Sequence, residues 1–348
     1  MTALPARPPI SAPAVERSAS VRLGLHGLWL VVPLAALLAV GAGGPETSLL
    51  VLGPIVTYAL SLIAVVAFWW EDWPGTRLRS SWSGWADTVL IAAGAVVLTG
   101  AGQAIAGGLD VRALFSPGGR VPTFPATLPL GGAVFVVLLQ LTLVGEGWPL
   151  RRLPAVLAGS LALALSWAIA LVLYLALVQA DPPLGSAVRA RTGPVAGADF
   201  GAALVWIGAW QVLCFVVWRG WPTTALRPRA LRLVCAHGLV LGGALLTYVL
   251  LRLAFEPLTL TAAAGCFVAA GLIVGMLLEF ASEPPLAFAC ALALSVALYA
   301  GLAALAGGFS FGRATAQDWI AHASLNAVAV STILHVAVGR RWPFNAAR

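Results

Sequence analysis

The chain has 348 residues, of which 60% are hydrophobic and only 9% are charged. Soluble domains usually carry about a quarter charged residues, so this composition excludes an ordinary soluble protein. All twenty basic residues are arginine, which excludes a lysine Schiff base and a lysine-dependent phosphate loop. The arginines are scattered through short segments, so we expect no nucleic-acid partner.

The N-terminal segment 1–21 contains four prolines and few large apolar side chains, which predicts a disordered cytoplasmic tail. We treat 22–348 as a single transmembrane domain, because apolar runs of about 20 residues can cross the ~30 Å hydrocarbon layer. The ten predicted spans are 22–43, 48–70, 85–108, 128–146, 154–179, 200–218, 232–255, 259–280, 285–307 and 318–339. The runs are apolar throughout and lack the alternation of barrel strands, so we predict an all-α polytopic transmembrane helix bundle.

The positions of the arginines orient these spans. Fourteen of the twenty fall in the tail, after spans two, four and six, or after span ten. With ten spans, these segments all lie on one side of the membrane. The positive-inside rule then predicts that both termini lie in the cytoplasm. We expect a bacterial-type protein of the inner (plasma) membrane.

Spans two, four, six and ten each end in a Trp-Pro pair, at Trp73, Trp148, Trp221 and Trp342. Proline cannot continue a helix and tryptophan prefers the headgroup layer, so we interpret these tryptophans as interface anchors. Binding of a cytoplasmic ligand is the alternative. The first three pairs are 75 and 73 residues apart, which indicates a weak repeat of a two-helix hairpin.

Two further expectations concern charge and packing. We expect a local ion-paired turn beside the first Trp-Pro pair, formed by Glu71 and Asp72 with Arg77 and Arg79. Glycines four residues apart predict close contact between helices, and such pairs occur at Gly238 and Gly242 and at Gly271 and Gly275.

Polar side chains inside the spans are the main indication of function, because polar groups are expensive in a bilayer. The candidates for a substrate pathway are Gln103, Gln140, Glu146, Gln211 and Asn326. The amides among them would equally serve as hydrogen bonds between helices. Ten spans with little mass outside the membrane favour a permease for a small solute.

Three histidines are predicted to lie at similar depth near the cytoplasmic face: His26, His237 and His335. Imidazoles bind transition metals and haem iron, so a membrane-embedded haem- or metal-binding enzyme, or a redox-complex subunit, is the first alternative. A non-catalytic scaffold or assembly partner is the second. The sequence lacks HExxH and DxxxD motifs, so we expect no enzyme and favour no cofactor. The expected partners are the lipid bilayer and other membrane proteins or further copies of this chain.

Overall fold

The computed structural model describes residues 14–78, 80–118, 121–180, 187–280 and 283–344. The fold is all-α, as predicted, and the described residues are 76% helical and form ten helices. Within the described ranges, nine helices are long and apolar enough to cross a membrane, and α4 is shorter. The helices are α1 Ala14–Val40, α2 Pro45–Trp69, α3 Ser80–Ala106, α4 Leu128–Val144, α5 Ala155–Leu177, α6 Gly197–Val217, α7 Arg229–Arg252, α8 Pro257–Leu277, α9 Pro284–Ala306 and α10 Ala316–Val338.

Two features differ from the sequence-based expectations. Helix α1 begins at Ala14, so helical residues occupy part of the predicted tail 1–21, while residues 1–13 lie outside the described ranges. A small sheet, which the predicted all-α fold does not include, follows α5. Its strands are β1 Val178–Ala180, β2 Arg191–Thr192 and β3 Val195–Ala196, and β1 lies between the other two.

The even-numbered helices form a closed ring, which we call the even-helix ring. Each member packs against the next. The contacts are Tyr58 of α2 with Gly131 of α4, Gln140 of α4 with Gln211 of α6, Val212 of α6 with Gly271 of α8, Gly265 of α8 with Ser324 of α10, and Asn326 of α10 with Gly53 of α2. Small residues and amides therefore mediate the close approaches, as expected for helices that associate in a membrane.

The odd-numbered helices lie outside this ring. The most apolar windows of α2, α6, α8 and α10 are 50–72% buried, whereas those of the odd-numbered helices are only 22–39% buried. Apolar side chains such as Val97 of α3, Val172 of α5 and Leu246 of α7 are more than 60% exposed. Lipid chains would cover such surfaces in a bilayer.

The two glycine pairs lie in opposite environments. A Cβ at Gly271 or Gly275 of α8 would come within 2.8 Å of Val212 or Val216 of α6, so this pair packs closely as predicted. A Cβ at Gly238 or Gly242 of α7 would meet no described atom within 4 Å. The expected close contact at that second pair is therefore wrong, because this face of α7 points away from the ring.

All five even-numbered helices end in the same way. A backbone N–H reaches the carbonyl five residues earlier, at 2.6–2.9 Å, in the pairs Trp70–Val65, Gly145–Gln140, Trp218–Leu213, Leu278–Ile273 and Gly339–Leu334. The next residue has a positive φ of 47–54°, at Glu71, Glu146, Arg219, Glu279 and Arg340. Four of these ends then continue into a cis Trp-Pro peptide, and α8 does not.

Candidate functional site

The four predicted anchor tryptophans follow the ends of α2, α4, α6 and α10. The indoles of Trp148, Trp221 and Trp342 are 50–52% exposed. Trp73 is partly buried, and its ring stands edge-on against Trp70, with centroids 5.6 Å apart. An exposed indole beside a helix end is what the anchor interpretation requires.

Ion pairs at the same end of the bundle join segments that are distant in the chain. Arg340 pairs with Asp72 at 3.1 Å, and Arg341 pairs with Glu279 at 2.7 Å. The expected local pairing of Asp72 is therefore wrong, since its partner lies 268 residues away. Arg79 lies outside the described residues. Local spacing could not reveal this pair, because the ring brings the first and last Trp-Pro turns together.

Glu146, a candidate for the substrate pathway, forms ion pairs with α7 in this structure. Its carboxylate pairs with Arg229 at 3.0 Å and with Arg232 at 2.7 Å, both in the first turn of α7. The Glu146 side chain is about one third exposed, so solvent screens these ion pairs and weakens them. Glu146 therefore links the end of α4 to the start of α7.

Gln103 is fully buried, and each of its two polar side-chain atoms has a hydrogen-bond partner. Its Nε2 donates to the Val121 carbonyl, and its Oε1 accepts from the Asp110 N–H, both at 2.8 Å. These partners belong to the segment between α3 and α4. The side chain therefore holds this connection against α3, at the end of the bundle opposite the Trp-Pro turns.

Gln140 and Gln211 meet at the contact between α4 and α6. Gln211 Nε2 donates to Gln140 Oε1 at 2.8 Å and to the Val136 carbonyl at 3.1 Å. The remaining atoms, Gln140 Nε2 and Gln211 Oε1, are buried and find no hydrogen-bond partner among the described residues. The two amides join the helices and still leave one donor and one acceptor available.

Asn326 belongs to a polar network between α10, α2 and α1. Its Nδ2 donates to the Gly53 carbonyl at 3.2 Å and lies 3.4 Å from His322 Nδ1. His322 Nε2 in turn lies 3.1 Å from the Leu38 carbonyl, and Trp319 Nε1 donates to the Ala39 carbonyl at 3.0 Å. These carbonyls stand in the last turn of α1, where a helix has no intrahelical donors. His322 and Trp319 thus cap α1, a role that the sequence does not indicate.

The three histidines proposed as metal ligands do not form a common site in the described structure. His26 and His335 both approach the Phe344 ring, with centroids 6.1 and 6.0 Å away. His237 Nδ1 instead lies 3.1 Å from the Leu233 carbonyl of its own helix. Within the described ranges, no three His, Cys, Asp or Glu residues are grouped to hold a metal ion. The haem or metal hypothesis therefore stays a sequence-based prediction without geometric support.

Four unpaired polar atoms lie at one level of the even-helix ring, which we call the polar layer. Among the described residues, Ser61 Oγ, Gln140 Nε2, Gln211 Oε1 and Ser331 Oγ are buried without a hydrogen-bond partner. The four residues precede the tryptophan of their own Trp-Pro pair by 12, 8, 10 and 11 positions. At about 1.5 Å per residue this is about 12–18 Å, close to half of the ~30 Å hydrocarbon layer.

The face of α6 between its neighbours α4 and α8 is open. Three consecutive side chains point to the three neighbours of this helix: Trp210 to α7, Gln211 to α4 and Val212 to α8. At about 100° per residue, Gly208 lies about 160° from Trp210, between the directions of α4 and α8. A Cβ at Gly201 or Gly208 would meet no atom of the described structure within 4 Å. Free space therefore borders α6 on the inner side of the ring.

Gly308 to Gly312 read GFSFG, which matches the GxSxG pattern of serine hydrolases. That pattern requires a strand–turn–helix elbow that presents the serine. Here Ser310 is exposed in the connection between α9 and α10, after a helix rather than a strand. The local structure therefore does not support a nucleophilic role for Ser310.

Comparison with known proteins assigns no family to the chain: no family model matches it, and no match to a curated protein or to a solved structure was found.

Proposed function

We propose that the protein is a permease that conducts a small neutral solute through the even-helix ring. The observation that carries this proposal is the polar layer. A buried polar atom without a partner costs about 1–3 kcal/mol, and lipid chains offer no partner. Four such atoms at one level of the ring are therefore best explained by water or solute inside it.

The chemistry of the polar layer favours a neutral solute. The two serine hydroxyls both donate and accept, Gln140 Nε2 donates, and Gln211 Oε1 accepts. None of these groups carries a charge, so a charged solute would lose its hydration without gaining a counter-charge. A small molecule with both donors and acceptors would satisfy all four groups. The open face beside Gly201 and Gly208 supplies space next to this layer.

We further propose that the Trp-Pro end of the ring faces the cytoplasm of a cell whose inner membrane holds the protein. The arginine count supports this orientation, as do the exposed indoles of Trp148, Trp221 and Trp342. Trp82 and Trp85, in the first turns of α3 at the same end, are 66% and 58% exposed. The five even-numbered helices share the same end, in which an N–H bonds to the carbonyl five residues earlier. This common feature supports a chain built from repeated two-helix hairpins.

Solute flux into proteoliposomes tests the proposal. The panel contains two neutral solutes, urea and glycerol, and two ions, sodium and chloride. We expect flux of at least one neutral solute above that of protein-free vesicles. The triple variant Ser61→Ala, Ser331→Ala, Gln211→Leu should reduce this flux several-fold, because it removes three of the four unpaired groups.

Ser160→Ala is the matched control. Ser160 lies on the exposed surface of α5 and donates to the Val156 carbonyl of its own helix at 2.9 Å. Flux through this variant should equal that of the wild type. Equal flux through the wild type and the triple variant would contradict the proposed pathway, as would ion flux as rapid as that of the neutral solutes. A protein that passes none of the panel and purifies with a stoichiometric membrane partner would instead favour the scaffold alternative.

A further inference from the structure

The turn after α2 and the first turns of α3 bring three unpaired polar atoms to one junction. Asp72 Oδ1, Ser83 Oγ and Asp87 Oδ2 are buried, and no described residue offers any of them a hydrogen bond. Asp87 and Ser83 are 0% and 2% exposed and lie one helical turn apart on α3. Gly75 connects the turn to this face, because its N–H donates to Asp87 Oδ1 at 2.9 Å.

The charges around this junction select the kind of ligand that fits. The carboxylates of Asp72 and Asp87 repel each other, and the Arg340 guanidinium acts on both. Arg340 already occupies Asp72 Oδ2 at 3.1 Å, and its positive charge disfavours a metal cation at the remaining oxygens. Glu71 and Arg77, the other charged residues in the described part of the turn, are exposed to solvent. Arg341, beside Arg340, pairs with Glu279 of the turn after α8.

Uptake of one proton would reduce the negative charge at this junction and add a hydrogen-bond donor there. Two carboxylates close together do not both stay ionised easily, and one proton between them removes the repulsion. The protonated carboxyl becomes a hydrogen-bond donor, which the unpaired carboxylate oxygens lack among the described residues. Burial acts in the same direction, because it raises the pKa of the Asp72 carboxyl against the opposing effect of Arg340.

We propose that Asp72, Asp87 and Ser83 form a buried site that takes up one proton from the cytoplasmic solution and shares it between the two carboxylates. The site lies where the Trp-Pro turn after α2 meets the end of α10, linked by the Asp72–Arg340 pair. Proton uptake neutralises part of the charge that holds Arg340, and so weakens this link. This proton site is independent of the proposed solute pathway, and its test requires no transport.

Infrared difference spectroscopy of the protein in lipid nanodiscs, recorded over a pH series, tests the site. We expect the carbonyl stretch of a protonated carboxylic acid to persist above the ordinary aspartate range. Asp72→Asn and Asp87→Asn should each abolish it, because the proton requires both carboxylates. In Asp87→Asn, the asparagine keeps an oxygen that can accept from the Gly75 N–H. Glu71→Gln, which changes the exposed acid of the same turn, should leave the signal intact.

A second variant keeps the test decisive if an aspartate variant does not fold. Arg340→Gln removes the cation that favours the ionised carboxylates, so the signal should titrate at higher pH than in the wild type. The proposal is overturned if the wild type lacks the signal, if the signal survives both aspartate variants, or if Arg340→Gln leaves its titration unchanged. Calorimetric titration with MgCl₂ at neutral pH should show no binding. Binding that Asp87→Asn abolishes would overturn the proposal in favour of a metal site.

Discussion

Gln211 on α6 donates through Nε2 to Gln140 Oε1 on α4 at 2.8 Å, and this contact joins neighbouring helices of the even-helix ring. Gln140 Nε2 and Gln211 Oε1 remain without partners among the described residues. Hydrogen bonding between helices and lining of a polar pathway were alternatives for these amides at the level of sequence. One pair of side chains can do both, because each amide carries a donor and an acceptor.

The Gln140–Gln211 contact should be measurable as an energetic coupling. We expect Gln140→Leu and Gln211→Leu to show a coupling of about 0.6–2 kcal/mol, the range for interhelical hydrogen bonds in membranes. A double-mutant cycle on reversible unfolding in mixed micelles measures it. Gln103→Leu combined with Gln211→Leu is the control and should be additive. Additive effects of Gln140→Leu and Gln211→Leu would show that the contact contributes nothing.

Gln103 should contribute to the stability of the connection between α3 and α4 rather than to solute flux. Gln103→Leu leaves the Asp110 N–H and the Val121 carbonyl without their side-chain partner, so it should cost about 1–3 kcal/mol. Hydrogen exchange at the Asp110 amide should accelerate accordingly. Thr99→Val is the control, because Thr99 Oγ1 donates within its own helix, to the Ala95 carbonyl at 2.7 Å. Unchanged exchange at Asp110 in Gln103→Leu would refute this role.

Two glycines with the same local sequence pattern should respond oppositely to alanine. A Cβ at Gly275 would lie 2.8 Å from the Val216 carbonyl oxygen, so Gly275→Ala should destabilise the protein by about 1–3 kcal/mol. Gly242→Ala places its methyl group in open space and should be neutral or stabilising by up to about 1 kcal/mol. Unfolding free energies of the two variants check this. Equal effects would contradict the placement of α7 and α8.

The pH dependence of stability should report the burial of Asp72. Burial raises the pKa of this carboxyl above its ordinary value. Its stabilising contribution is therefore fully present below the unfolded-state pKa and is lost as pH rises through the raised folded-state pKa. We expect the free energy of unfolding to fall across this window in the wild type and less steeply in Asp72→Asn. Glu71→Gln should keep the wild-type slope, and identical slopes in wild type and Asp72→Asn would contradict the prediction.

The helices themselves could be predicted because apolar length is a local property of the sequence. The Trp-Pro ends were also visible locally, at Trp73 and its three counterparts. Contacts between distant parts of the chain could not be predicted in this way. The Asp72–Arg340 pair spans 268 residues, and the His322–Leu38 contact spans 284. Gly238 and Gly271 begin the same small-residue pattern, yet only Gly271 touches a neighbouring helix, because the order of helices around the ring decides which faces meet.

Thiol accessibility tests the proposed water-filled pathway most directly, in a background without the four native cysteines. Gly208 lies 13 residues before Trp221, and Gly242 lies 13 residues after Arg229, where α7 begins at the same end of the bundle. The two positions are therefore at similar depth. A side chain at either site would enter open space, but only Gly208 faces the interior. A membrane-impermeant methanethiosulfonate reagent should modify Gly208→Cys many-fold faster than Gly242→Cys, because the reactive thiolate forms in water. Equally slow modification of both cysteines would contradict a water-filled pathway through the even-helix ring.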